Sequence, residues 1–303
     1  MTVTRRIFVS MPADPWLPDN LNRLKWGIVE RIAGLGYLPE IFTNPRGGPG
    51  LAAPLAWTPG KADEVARRAC GFALIGMARW RLQDAAGQAV KLPTEYNHYE
   101  GAIARTLGLP TLTLVQGDVG RRVVFDPGFG GYVGVFPPDA DEGWLQGDGF
   151  GVPFAYWTDQ LGQRRDVFLG YCGSSARTAR AIKSCIAKLG ATVLDWQVDL
   201  RPASSILQQI EAAAARTSGG IFLFTGDDAL ADASRPESVV PRDNVVLEAG
   251  YFIAAKGKRS VLIIREADSR MPADLGGDIY AELADRGDIA PARPVIARFL
   301  QDL

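Results

Sequence analysis

One carboxylate in this chain sits among residues that should be buried. Glu248 lies in PRDNVVLEAGYFIAAKG, residues 241–257, where Val245, Val246, Ala249, Phe252 and Ile253 recur at helical spacing. Pro241 with Asp243 or Asn244 marks a helix start, and Gly257 after Lys256 marks its stop. A glutamate in the first turns of such a helix either caps backbone or is held by a structural partner, or it lines a pocket. The other reactive side chains narrow the chemistry. His98 is the only histidine, so a Ser-His-Asp or Cys-His triad would have to be built on it, and a Cys/His zinc site is not expected; no metal is. Cys70, Cys172 and Cys185 are an odd number without CxxC spacing. That argues against a disulfide framework and for a reducing, cytoplasmic compartment.

The elements that must position Glu248 follow an alternating pattern. At 303 residues the chain is long enough for two domains, each with its own core. A net charge of -1 recruits neither nucleic acid nor anionic membrane, so neither is expected as a partner. The N-terminal MTVTRRIFVSMP has too short an apolar run for a signal peptide or an anchor. Strands are expected at 6–11, 37–42, 71–77 and 111–115, with helices at 19–35, 62–69 and 95–107 between them. A Pro/Gly-rich loop, 44–60, and a polar loop after residue 77 interrupt the pattern. Residues 117–165 turn to Gly, Pro, Asp and aromatics and are expected to be an ordered elaboration ending near a domain boundary. The pattern then restarts. Strands are expected at 166–171, 192–198, 220–224 and 260–264, helices from CGSSA to 189, at 202–215 and at 245–256, and a short edge strand and a helix at 291–303 close the chain.

Parallel βαβ units explain the alternation, and an internal repeat explains the restart. With Glu100 placed over Glu248, Pro93 and Pro241 both stand seven residues before the glutamate, and Glu95 and Asp243 both stand five before it. Gly108 and Gly257 end the two helices one position apart, and an apolar strand follows each. Upstream, RRIFVSMP lies over RDVFLGYCGS and GFALIGMARW over GGIFLFTGDDAL. A period of about 150 residues is too long for a solenoid and fits two copies of one α/β domain.

The second copy resembles the TIR-like, nucleotide-binding domains of bacterial anti-phage effectors over about residues 165–285. The resemblance rests on Asn244, Glu248 and Gly250 as Asn-x-x-x-Glu-x-Gly, on the strand-end Thr225-Gly-Asp-Asp228, on SSILQQIE and on VFLGYCGSS. The first copy is similar more loosely, keeping Glu100 but carrying Met77-Ala-Arg-Trp80 where the acids stand in the second. The implied fold is α/β, two tandem flavodoxin-like or TIR-like domains at 1–160 and 161–303, each a mostly parallel sheet flanked by helices.

The resemblance further implies an NAD⁺ glycohydrolase with Glu248 as its catalytic group and NAD⁺ as substrate rather than cofactor. Nicotinamide leaves the ribose as a neutral base, so no acid has to protonate it, and one carboxylate suffices to stabilise the oxocarbenium-like transition state. Substrate contacts are expected from Tyr171, Cys172, Gly173, Ser174, Trp196, Arg201, Ser205, Thr225, Asp227, Asp228, Arg242 and Asn244. Ser174 and Ser175 would also cap their helix, its amides facing the pyrophosphate, and Gly250 would permit close backbone approach. Glu100 would mark a second site, catalytic or sensing. Activation by a nucleotide or protein signal and assembly into a homo-oligomer are implied. Two alternatives stay open: a nucleoside deoxyribosyltransferase-like enzyme, and a non-enzymatic nucleotide-binding receptor.

Overall fold

The computed structural model describes residues 3–42, 56–129, 131–196, 205–229, 239–270, 272 and 280–303. The chain divides into two compact units, Arg5–Gln163, and Arg164–Leu303 with Met1–Thr4. The division falls at the end of a helix, Asp148–Gly162.

The first unit runs β1 (Arg6–Ser10), α1 (Asp19–Gly34), β2 (Leu38–Ile41), α2 (Pro59–Arg68), β3 (Gly71–Gly76), a hairpin of β4 (Trp80–Gln83) and β5 (Ala89–Leu92), α3 (Glu95–Thr106), β6 (Thr111–Gln116), β7 (Val133–Phe136) and α4 (Asp148–Gly162). Its five-stranded sheet has the order β2-β1-β3-β6-β7, parallel throughout. The second unit runs β8 (Arg165–Gly170), α5 (Ala176–Lys188), β9 (Val193–Asp195), α6 (Ile206–Arg216), β10 (Thr217–Phe224), a hairpin of β11 (Asp228–Ala229) and β12 (Val239–Val240), α7 (Asp243–Lys256), β13 (Val261–Glu266), β14 (Tyr280–Leu283) and α8 (Arg293–Asp302). Its sheet, β9-β8-β10-β13-β14, is again parallel and repeats the first strand for strand. Each is the 2-1-3-4-5 order of a doubly wound, flavodoxin-like sheet.

Strands with helices on both faces read as continuous apolar runs, because alternate residues enter different cores. Ile7 and Val9 of β1 pack with α1 and α4, whereas Phe8 between them packs with residues of α2 and α3. Val167 and Leu169 of β8 likewise join α5 and α8, and Phe168 joins α6 and α7. Gly257, with φ 87°, closes α7 in the left-handed region.

Two stretches differ from the sequence expectation. The polar loop after residue 77 contains the β4–β5 hairpin, whose strands are only four residues each, so that the alternation of Trp80 and Leu82 with Arg81 and Gln83 is too brief to stand out. The aromatic stretch supplies both the fifth strand and α4. Phe150, Pro153, Trp157 and Leu161 are its buried face, spaced as helix neighbours. Gly149, Gly151 and Pro153 in the first turns conceal the helix, since glycine and proline lower helix propensity. In the second unit α6 starts later than expected, at Ile206, where Ser205 and Gln208 form a capping box. Residues 43–55 of the Pro/Gly-rich loop lie outside the described residues. Among the described residues no helix is long and apolar enough to cross a membrane.

Candidate functional site

A cavity of about 270 Å³ opens in the second unit at the carboxyl ends of β8 and β9. Open α/β sheets bind ligands there, beside the point where the strand order reverses between β8 and β10. Phe168, Tyr171, Cys172 and Gly173 line it from β8 and its loop, Trp196 from the end of β9, Ile206, Gln209 and Ile210 from α6, and Arg242, Asn244, Val245 and Glu248 from the start of α7.

Glu248 is the sixth residue of α7 and reaches over the last residue of β8. A Cβ at Gly170 would stand 2.6 Å from Glu248 Oε2 and 2.6 Å from the Phe222 ring. Glycine at the end of β8 is therefore what lets the carboxylate descend onto the sheet. Oε2 is buried there and, among the described residues, has no hydrogen-bond partner. Removal from water without a compensating donor pushes the Glu248 carboxyl up to about 7. A partnerless acid titrating near neutrality in a cavity is a functional-site signature, because a structural carboxylate normally has its donors.

The wall beside it is rigid. The Tyr171 hydroxyl donates to Asp195 Oδ1 at 3.0 Å, and Lys183 holds Oδ2 of the same carboxylate. Burial, and then the Asp195 charge, raise the Tyr171 pKa and keep the phenol neutral. Trp196 Nε1 donates to the Tyr171 carbonyl at 2.9 Å, which fixes the indole at the cavity edge.

The strand-end acids divide. Asp227 accepts from Ser174 through Oδ1 and from Thr225 through Oδ2, and Arg286 approaches Oδ1 at 3.4 Å. Its carboxylate is 1% exposed, and neither it nor Ser174 nor Thr225 lines the cavity. Arg286 also donates to Glu266 and to the Gly226 carbonyl, so this knot clamps the β10 loop to β13. Asp228 instead faces Arg242 at 3.3 Å, and Cys172 lines the cavity with Arg242. That places a guanidinium at the mouth, beside Asn244.

Several expectations change on this geometry. Ser175 makes no side-chain cap, because its hydroxyl is buried and bonded to Thr225 at 2.7 Å, and α5 is entered through a 3-10 turn at Gly173–Ser175. Gly250 is exposed with nothing within 4 Å of an added Cβ, so no backbone approaches it. Ser205 caps α6 and stays outside the cavity lining. Arg201 lies outside the described residues. The first-copy glutamate belongs to a different cavity: Glu100 is the sixth residue of α3, 4% exposed, with Oε1 accepting from Trp57 Nε1 at 2.8 Å. Burial pushes it too up to about 7, against the pull of the Ser10 and Trp57 hydrogen bonds.

Gly170, Asp195, Lys183 and Arg286 are the site-building residues that the sequence did not mark. Only Gly170 had a signal available, since the repeat register sets it opposite Ser10.

Comparison with known proteins covers this unit. Residues 166–285 match the family model described as CAP12/Pycsar effector protein, TIR domain. The chain is 39% identical over 124 residues to the uncharacterized protein YuaY of Escherichia coli, covering 41% of either chain. It is similar to two CD-NTase-associated proteins 12: 30% identical over 113 residues to that of a Lachnospiraceae bacterium and 31% over 115 residues to that of Sphingobacterium faecium. Each match covers 37% of this chain and 35% of the relative, so the chain spans well under half the length of these relatives. The C-terminal region thus carries the likeness to a TIR-type anti-phage effector domain.

Proposed function

We propose that the second unit is an NAD⁺ glycohydrolase and that Glu248 is its catalytic residue, acting as an anti-phage effector switched on by a signal or by self-assembly. The partnerless, buried Oε2 of Glu248 carries this reading. In the reaction the C1′–N bond of the nicotinamide riboside breaks and its electron pair neutralises the pyridinium nitrogen. Positive charge develops on C1′ and the ring oxygen, and the Glu248 carboxylate, poorly solvated and without a competing donor, stabilises it. Water then adds its oxygen to C1′ and releases a proton, giving ADP-ribose and nicotinamide. The cationic ring would itself favour the ionised carboxylate on binding. Trp196 and Tyr171 offer aromatic surface to the bound ring, and Arg242 offers a guanidinium to the pyrophosphate.

Asp227, Ser174 and Thr225 serve this reading by shape, holding the β10 loop against β8 rather than touching substrate. A cavity of about 270 Å³ takes the nicotinamide riboside portion of the dinucleotide, and the adenosine portion extends past Arg242. Incubation of the purified chain with NAD⁺ tests the proposal, with nicotinamide measured by chromatography. Release by wild type and its loss in Glu248→Gln support it. Absence of release at every protein concentration and with nucleotide activators present overturns it, and base exchange on deoxynucleosides would assign the site to a transferase instead.

A further inference from the structure

A second cavity, of about 610 Å³, lies in the first unit. It sits where the repeat places it, at the carboxyl end of β1 under the start of α3, with Glu100 in its lining. Three large aromatics on its wall are exposed, Trp16 at 58%, Trp80 at 40% and Tyr96 at 52%. Aromatics this exposed and gathered around one hollow mark a binding surface rather than a core. The Arg79 guanidinium lies 3.9 Å from the Trp16 ring centroid and 4.7 Å from that of Trp80. Stacking holds its plane, and among the described residues it has no carboxylate partner. On the other side Trp57 packs on Tyr96 at 4.6 Å and donates to Glu100. The Ser10 hydroxyl accepts from Asn97 at 2.8 Å and stands near enough to Glu100 to favour its charged form, while the Trp57 donor orients the carboxyl.

We propose that this cavity is a binding site for a nucleoside monophosphate, its base laid against the tryptophan walls, its phosphate on Arg79 and its ribose hydroxyls or base N–H groups on Glu100. Each part answers a feature of the cavity. A planar heterocycle fits aromatic walls, which stack any base. A cationic ligand is disfavoured, because Arg79 already brings a positive charge over one face of Trp16 and one face of Trp80. Among the described residues the lining holds one cation against two acids, Glu95 and Glu100, which suits a single phosphate better than a pyrophosphate chain. The volume falls within the ordinary range of small-ligand pockets. The inference stands on the first unit alone and does not depend on NAD⁺ cleavage by the second.

Calorimetric titration of the full chain with AMP, GMP, CMP and UMP, with the matching nucleosides and with inorganic phosphate tests it. The expected result is one-to-one binding of at least one monophosphate. Arg79→Ala should weaken that monophosphate about tenfold and leave its nucleoside unchanged, as for a lost charge-assisted hydrogen bond. Trp80→Ala should weaken nucleotide and nucleoside alike, and Arg79→Lys should fall between wild type and Arg79→Ala. Circular dichroism melts confirm that each variant is folded, and the exposed Trp80 variant keeps the test open if an Arg79 variant is not. No monophosphate binding up to millimolar concentration overturns the proposal, as does binding that survives both Arg79→Ala and Trp80→Ala, or a nucleoside binding as tightly as its monophosphate.

Discussion

Glu100 and Glu248 are the sixth residues of equivalent helices, over equivalent strands, and burial raises both to about 7. They differ in what stands beneath. In the first unit β1 ends in Ser10, whose hydroxyl meets the carboxyl, and Trp57 meets it from the side. In the second, β8 ends in Gly170, and Oε2 of Glu248 fills the space of the missing side chain with no donor among the described residues. Ser10 and Trp57 together therefore separate an anchored carboxyl from one whose Oε2 has no donor among the described residues. A carboxyl anchored by two donors suits holding a ligand; one without donors has its charge available for a reacting centre.

The largest test of that contrast is the pair Glu248→Gln and Glu100→Gln. Nicotinamide release should fall about a thousandfold or more in the first and stay within a few-fold of wild type in the second. Equal losses would mean that the two carboxyls are not functionally distinct. Gly170→Ser comes next. Its Cβ would meet both Phe222 and Glu248 Oε2 at 2.6 Å, so the second unit should lose about 1–3 kcal/mol in denaturant unfolding and nicotinamide release with it. Full activity with unshifted stability would break the idea that Gly170 frees the carboxylate.

Titration adds a third. Both folded-state values lie above the ordinary 4.5, so each group favours folding at low pH and loses that advantage as pH rises through about 7. Glu248→Gln should match wild type near pH 4.5 and exceed its stability by roughly 2–3 kcal/mol at pH 8–9. A stability gap that closes with rising pH would show that Glu248 has a donor after all. Ser10→Ala should cost about 1–2 kcal/mol at neutral pH, since Asn97 Nδ2 and Glu100 both lose a partner. Gly250→Ala should give the smallest effect, a gain of about 0.5–1 kcal/mol in thermal melts with activity unchanged, because the position is exposed and open.

The repeat was legible because it is written in local patterns. Alternating apolar runs, helix-stopping Gly108 and Gly257, and a glutamate five residues after an acid identify the same unit twice. The aromatic elaboration hid its helix because Gly149, Gly151 and Pro153 speak against one locally, while the burial of Phe150, Trp157 and Leu161 on the sheet outweighs them. The β4–β5 hairpin hid because each strand is four residues long, too short for the alternation of Trp80 and Leu82 with Arg81 and Gln83 to be distinguished from a loop.

The sequence by itself determined two parallel α/β units, the helix that carries Glu248 and its partner at Glu100, because strand and helix periods and stop residues act over a few neighbours. Only the tertiary structure decided what each polar group does. Asp227 and Ser174, expected as substrate contacts, are hydrogen-bonded to each other across two loops; Glu248, expected as a capping acid or a catalytic one, has an oxygen without a donor among the described residues. A hydrogen bond is settled by atoms brought together from distant parts of the chain: the repeat register sets Gly170 opposite Ser10, but no spacing along the sequence records that either lies beneath a carboxylate.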